Sequence, residues 1–381
     1  MKTADIIAAF KDAVARHGLE LIPRARMVND ADPMSFNYSL EEPLIRRYGS
    51  FLDVSSPWAF AALQPCIRVA DFDRLRKGRG NGQHLSMFNM LVPFFATHPD
   101  RTEMERLHRE AVCVLVGFLR EAGLDASRLL VSYFGGGKLC DFSGGEVDLD
   151  IEFPPDEITP KAFADLGLGP EQLAAESNLD TFLVTFSQLV DFWAGYRFEV
   201  YVRDRTGGRF EVATGEAVAY RRVVSGGRVQ DVVPAAGCVV PVVVGAERLA
   251  TVLENAASVF ESDTMKPLCD FVRSRARCDD PTAVRVLVDA VRATQMIFAD
   301  DITWDSLNHR LREDLRTYFV EIETRMADLG LGQEDLAELT EMNAAVQLWL
   351  PELIEGAQPM RETLAEQRSR SRRSAARVPR I

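Results

Sequence analysis

Residues 62–91 read ALQPCIRVADFDRLRKGRGNGQHLSMFNML, two runs of strand character joined by a basic, glycine-rich segment. Side chains alternate faces along a strand. Gln64, Cys66 and Arg68 therefore project to one side of the first run, and Leu63, Ile67 and Val69 to the other. On the returning run His84, Ser86 and Phe88 share a face opposite Leu85, Met87 and Leu91. If the two strands pair, Arg68, His84 and Phe88 line one pocket. A guanidinium fork matches the oxygens of a phosphate, and an aromatic ring offers a stacking surface for a purine. The connecting segment, with Arg74, Arg76, Lys77 and Arg79, reads as a flexible loop able to fold over a triphosphate. The same layout also fits a decorated structural hairpin, and these residues leave both readings open.

At 381 residues the chain is longer than one compact core usually holds, so two domains are expected. Apolar residues make up 47%, as in ordinary globular proteins, and no apolar run is long enough to span a membrane. The opening MKTADIIAAFKDAVARHG reads as a helix and not as a leader peptide: Thr3 can cap it, Ile6, Ile7, Phe10 and Val14 form one stripe, and Gly18 stops it. The six cysteines, at 66, 113, 140, 238, 269 and 278, form no CxxC pair and do not cluster with the histidines. A structural zinc site is not expected, and reduced thiols in a cytoplasm fit best. A formal net charge of −13 argues against bulk binding to DNA but leaves room for a locally basic groove.

Residues 1–261 mix helices and strands, interrupted at about 154–195 by what reads as a helical insertion, in which Leu179, Phe182, Leu183, Phe186, Leu189, Val190 and Trp193 keep a helical stripe. YRFEVYVRDRTGGRFEVA predicts a hairpin around Thr206, Gly207 and Gly208. CVVPVVVGAERLATVLENAASVF predicts a last strand running into a helix. Residues 262–356 carry helical patterns only, as a second domain, and the basic, serine-rich 357–381 reads as a disordered tail.

Two glycine motifs fail as phosphate loops. In FGGGKLC, Leu139 stands where a serine or threonine must meet magnesium, and GRGNGQ lacks the GxGxxG spacing between strand and helix. GEVDLDIEF is more informative. It puts Glu146, Asp148, Asp150 and Glu152 on one strand face, successive carboxylates standing about 7 Å apart. Such a face needs magnesium, a substrate amine or a basic neighbouring strand, and YRFEVYVRDR offers Arg197, Arg203 and Arg205 on the face of Glu199. A solvated face with cross-strand ion pairs is the plain alternative. Glu146, beside two glycines, is the best metal candidate. In VVVGAERLATVLE, Gly245 sits at the junction into a helix whose first turn carries Arg248, an arrangement open to phosphate.

Together these pieces resemble the class II aminoacyl-tRNA synthetases, and within them the catalytic core of the alanyl-tRNA synthetase family. That family's second motif, Q-x-C-x-R-x-x-D-x-D, a loop, then R-H-x-x-x-F-E-M-L, stands here as QPCIRVADFD and QHLSMFNML. VNDADPMSF, YFGGGKLCDFSGGEV, VVVGAERLATVLE and VRVLVDAVRATQMIFADDITWDSLNHRLRE resemble, in order, the family's D-P segment, its glycine-rich stretch, its third motif and its following helical domain. The resemblance covers roughly 1–330. It implies an α+β fold: an antiparallel sheet flanked by helices, followed by an all-helical domain. It also implies ATP and Mg2+, with an amino acid giving an aminoacyl adenylate and pyrophosphate. Carried over, Arg68 holds the α-phosphate, His84 the outer phosphates, Phe88 the adenine, Gly245 and Arg248 the far end of ATP, and Glu146 the magnesium. Gln64, Asp148 and Asp150 would meet the substrate.

The sequence also departs from that pattern. Gln83 and Asn89 replace the motif-two arginine and glutamate, Pro241 stands where the family's amine-binding aspartate belongs, and Val243 replaces a glycine. HRLREDLRTYFVEIETR mixes acids into a helix that is arginine-rich in the family, which disfavours an acceptor stem, although Asn308 is placed to read a base pair. The reading is therefore a stand-alone enzyme that activates an amino acid or related carboxylate. Its acceptor is a small molecule, a carrier protein or a tRNA other than the standard alanine one. A trimmed tRNA-charging enzyme and a non-catalytic regulatory paralogue are the rivals, and a homodimer is among the open assemblies.

Overall fold

The computed structural model describes residues 1–28, 35–39, 57–80, 82–98, 100–139, 151–184, 193–203, 207–225 and 228–377. In chain order its first half contains α1 (Thr3–Arg16), β1 (Glu20–Ile22), β2 (Trp58–Ile67), α2 (Val69–Arg76), β3 (Met87–Thr97), α3 (Arg101–Glu121) and β4 (Leu129–Phe134). The short β5 (Gly137–Lys138) and β6 (Glu152–Phe153) lead to α4 (Ile158–Asp165), β7 (Leu173–Glu176) and β8 (Phe182–Val184). Three long strands follow, β9 (Trp193–Arg203), β10 (Arg209–Ser225) and β11 (Arg228–Gly245), and then α5 (Ala246–Leu253). The rest is helical: α6 (Lys266–Arg275), α7 (Pro281–Phe298), α8 (His309–Leu329), α9 (Gln333–Val346) and α10 (Leu353–Arg377).

Two compact units divide the chain. The first is Met1–Arg24, Ser39–Gln64 and Asn89–Ala257; the second is Ala25–Tyr38, Pro65–Phe88 and Ser258–Ile381. The first unit is built on one sheet in the order β1-β2-β3-β11-β10-β9-β4-β7, with β8 on β9. β3/β11, β11/β10, β10/β9 and β9/β4 are antiparallel, while β1/β2 and β4/β7 are parallel. The expected α+β class, an antiparallel sheet with flanking helices and a helical C-terminal region, is what the chain forms. α1 buries Ile6, Ile7, Phe10 and Val14, and Phe10 meets Phe118 of α3 edge-on at 5.5 Å. The turn after α1 needs Gly18, whose φ is +70°. Asp100 caps α3 by accepting from the Glu103 amide at 3.1 Å.

In the second unit α7 is buried nearly all round, because α6, α8, α9 and α10 all pack on it. Its one polar row is satisfied inside: the Gln295 amide donates to the Thr340 and Leu353 carbonyls, and Asn343 donates to Gln295 Oε1. Residues 25–38 join the same unit through backbone. The Met27 amide donates to Asp300, Asn37 to the Met27 carbonyl, and Ile67 to the Asn37 carbonyl.

Three expectations are corrected. Residues 69–76 are a helix and not part of a loop, because Phe72 and Leu75 are buried one turn apart and Asp71 and Asp73 pair forward with Arg74, Arg76 and Lys77. Among the described residues of the expected helical insertion, α4 is followed by β7 and β8, and Phe182 of TFLV packs in a sheet-borne aromatic cluster with Phe134 and Phe153. The C-terminal segment is helical to Arg377, where forward i,i+4 pairing of Glu366 with Arg370 and a contact of Arg368 with Glu323 offset its positive charge. Residues 141–150 lie outside the described residues, so Glu146, Asp148 and Asp150 do too, as does Arg205.

β9 and β10 approach most closely at Gly195, opposite Val218. A Cβ there would meet the Ala217 carbonyl and stand 2.7 Å from Val218 Cα, backbone that cannot yield. Gly195→Ala is therefore expected to lower the stability of the folded chain by about 1–3 kcal/mol, read from the midpoint of chemical denaturation.

Candidate active site

In the second unit, β2 ends at Ile67, so Arg68 is not a strand residue but the extended residue that precedes α2. Its amide donates to the Ser86 carbonyl at 2.8 Å, and its guanidinium lies 5.0 Å from the centre of the Phe88 ring. Arg68 is exposed, and among the described residues no carboxylate pairs with it. The structure thus brings Arg68 and Phe88 together by a route other than strand alternation. Ser86 is held in turn from α7: both oxygens of Asp289, fully buried, accept from the Ser86 amide at 3.2 and 3.0 Å. Burial pushes the Asp289 carboxyl upward, and the Ser86 bond and nearby Arg292 oppose that shift. Arg292 donates to the Met87 carbonyl at 2.9 Å. Phe88 consequently stands on a clamped backbone. An exposed guanidinium above an aromatic face offers two donors to an oxyanion and a flat apolar platform to a planar ring.

His84 lies in the turn before β3 and is half-buried. Three of the four cations expected to close over a triphosphate are engaged elsewhere, Arg79 being the exception among the described residues. Arg74 pairs with Asp71, Arg76 with Asp73 and Glu321, and Lys77 with Asp73. The glycines begin only after α2, and the turn at Gly82, φ +75°, is tied down by the Val259 amide donating to its carbonyl.

In the first unit, β11 passes into α5 at Gly245, as expected, and Gly245 pairs with Met90 of β3. Arg248, in the first turn of α5, is half-buried, and its guanidinium pairs with Glu211 of β10. The neighbouring Glu247 is buried and accepts from the Asn89 amide at 3.0 Å and from the Asn89 side chain at 2.8 Å. Asn89 at the motif-two position is therefore the partner that locks α5 to β3. Pro241 pairs with Phe94, and Val243 with Thr214. Gln64 is fully buried in β2.

The sheet also carries a polar group that the sequence reading treated only as a salt-bridge strand. Glu199 of β9 lies opposite Thr214 on one side and Ser132 on the other. It is 6% exposed, and the Thr214 hydroxyl donates to its Oε1 at 3.0 Å. Its Oε2 has no partner among the described residues. Arg197 donates through Nε and Nη2 to Glu216 Oε1, at 3.0 and 2.6 Å, and Arg209 pairs with Glu176 at 2.8 Å. Burial first, and repulsion from Glu211 second, hold Glu199 well above the usual carboxylate range; Arg197 and Thr214 pull the other way. Burial likewise raises Asp180, which Arg197 opposes. A charged residue between Phe198 and Val200 was the available signal, but the pattern could not say that both sides of the strand would be covered.

No family model matches the sequence, and no curated protein matches it. Among solved structures the chain is similar to apo histidyl-tRNA synthetase of S. aureus, at 11% identity over 66% of this chain and 65% of that one, with a TM-score of 0.40. It is also similar to a pyrrolysyl-tRNA synthetase of Desulfitobacterium hafniense, at 13% identity over 68% and 71% with a TM-score of 0.36. A third is an RNA binding domain of threonyl-tRNA synthetase from Cryptosporidium parvum, at 10% identity over 66% and 64% with a TM-score of 0.43. The chain spans about two thirds of the length of the histidyl protein.

A carboxyl whose affinity for protons rises on folding favours the native state at low pH, and that advantage is lost as pH climbs from the unfolded value, about 4.3, through the raised native one. Glu199 and Asp180 both carry this sign. Glu199→Gln is expected to melt at or above the wild-type temperature at about pH 8, the gap closing toward about pH 5. A variant that melts lower at both pH values would mean that the Glu199 charge is compensated in the native fold.

Proposed function

We propose that the chain is a relative of the alanyl-tRNA synthetase core that activates an amino acid or related carboxylate with ATP. The observation that carries this reading is the Arg68–Phe88 pair, an exposed guanidinium over an aromatic platform, clamped through Ser86 by Asp289. The antiparallel sheet and the β11–α5 junction at Gly245 add support. In the proposed reaction a carboxylate oxygen attacks the α-phosphorus, the bond from that phosphorus to the bridging oxygen breaks, and pyrophosphate leaves. Arg68 stabilises the negative charge on the α-phosphate oxygens, and Phe88 stacks on the adenine. His84, in the same unit as Arg68, takes the outer phosphates. The chain contributes position and charge and no covalent nucleophile. Glu146 would hold magnesium, which when bound would offset phosphate charge.

The acceptor is proposed to be a small molecule or a carrier protein. The support is α8, whose arginines are engaged: Arg310 with Asp314, Arg316 with Glu313, Arg325 with Glu321 and Asp328, and Arg312 with the Trp304 and Asp305 carbonyls. Asn308 caps this helix, accepting from the Leu311 amide at 2.9 Å. Arg310, Arg316 and Arg325, each paired with a carboxylate, would release few counterions on RNA.

ATP–pyrophosphate exchange over a panel of amino acids tests the reading. Exchange without tRNA charging is the expected result; charging would favour a trimmed tRNA synthetase, and no exchange with any acid would favour a non-catalytic binder. Arg68→Ala is expected to lower exchange by about 100-fold or more with unchanged circular dichroism. Normal turnover in that variant would make the Arg68 contact structural only.

A further inference from the structure

The buried polar row of α7 continues beyond Gln295 and returns to the residue before Phe88. Gln295 Nε2 donates both of its hydrogens, to the Thr340 and Leu353 carbonyls at 2.9 and 2.7 Å. Its oxygen is therefore the end turned to Asn343, whose Nδ2 donates to it at 3.0 Å. Asn343 Oδ1 in turn accepts from Gln347 Nε2 at 2.8 Å, which leaves Gln347 Oε1 as the accepting end that faces α7. There Arg292 Nη2 donates to it at 3.4 Å, while Arg292 Nη1 donates to the Met87 carbonyl at 2.9 Å. Arg292, Gln295, Asn343 and Gln347 are all fully buried.

The direction of this chain is fixed. A guanidinium only donates, and a primary amide has one accepting end. Turning any of the three amides over would set donor against donor, or acceptor against acceptor, at its contacts inside a buried row, where each lost bond is costly. The three amides thus hold one orientation together, from the start of α10 to the backbone of β3. Gln347 is the pivot. It stands just past the end of α9, and its own carbonyl accepts the Leu350 amide at 2.9 Å, which shapes the turn toward α10. The same residue holds the guanidinium that holds Met87.

We infer that Gln347 is a positioning residue for the Phe88 ring: by keeping Arg292 on the Met87 carbonyl, it makes nucleotide stacking depend on the turn between α9 and α10. The inference rests on the nucleotide reading of Arg68 and Phe88 and goes beyond it, since Gln347 lies outside the proposed site. Every residue in the chain of contacts belongs to the second unit.

The test is ATP–pyrophosphate exchange by the full chain with the amino acid that gives the highest exchange, ATP being varied. Two variants separate positioning from stability. Gln347→Met keeps the length of the side chain but releases both Asn343 and Arg292. Gln347→Glu still accepts from Arg292 but cannot donate to Asn343. Both lose the bond to Asn343, so both should unfold at a lower denaturant midpoint than the wild type. Only Gln347→Met should raise the KM for ATP, by about 10-fold, with the KM for the amino acid unchanged; Gln347→Glu should stay within about 2-fold of the wild type. Added to Phe88→Ala, Gln347→Met should raise the KM for ATP no further, because the ring it positions is gone. Should Gln347→Met not fold, Gln347→Asn, which withdraws the amide from Arg292 by one methylene, carries the same expectation. A Gln347→Met protein with wild-type KM for ATP overturns the inference while carboxylate activation stands. So does a KM that rises equally in Gln347→Met and Gln347→Glu, since it would then follow stability alone. Absence of exchange with every acid removes the activation reading itself, and the inference with it.

Discussion

One buried carboxylate organises the backbone on which Arg68 and Phe88 meet. Asp289, deep in α7, accepts the Ser86 amide, and the Ser86 carbonyl accepts the Arg68 amide. Remove Asp289 and the buried Ser86 amide loses its partner, a loss on the order of 1–3 kcal/mol per unsatisfied group. The geometric consequence is larger than the energetic one. Arg68 and Phe88 belong to segments twenty residues apart in sequence, and this chain of bonds brings their backbones together, with the guanidinium 5.0 Å from the ring centre. Arg292, one turn further along α7, fixes the next carbonyl, Met87. A helix that is apolar almost all round therefore spends its few polar positions on the backbone leading into β3.

The sheet of the first unit shows a related economy. Asn89 and Glu247 satisfy each other in a buried pair, so α5 is anchored and its first turn presents Arg248 in a fixed position. Along this part of the sheet Arg197 of β9 pairs with Glu216 of β10, Glu199 of β9 accepts from Thr214 of β10, and Arg248 of α5 pairs with Glu211 of β10. Every cation in this row has a carboxylate, but not every carboxylate has a cation. That imbalance is costly in a buried sheet unless a proton supplies the missing charge.

Some of this was legible in the residues and some was not. The stripe of α1, the stop at Gly18 and the β11–α5 junction follow from local rules, because each depends on neighbours within one or two turns. The hairpin of β9 and β10 follows from alternation flanking Gly207 and Gly208, and their antiparallel pairing agrees. Residues 69–76 misled for a definite reason. Basic residues between two strands suggest a loop, whereas the decisive spacing was that of Phe72 and Leu75 with acids three and four residues ahead of the bases. TFLV, read with a helical period, formed a strand because β9 was there to pair with it.

Sequence by itself determined the α+β class, the candidate residues Arg68, Phe88 and Arg248, and the unusual Pro241, since these depend on residue type and short-range order. Tertiary structure alone decided that Arg68 meets Phe88 from outside the strand, that Arg248 is held by Glu211, and that Glu199 is buried with one oxygen unclaimed. The physical reason is the same in each case. Burial and ion pairing are properties of what lies across the sheet or on the next helix, and a chain read along its length does not contain that distance.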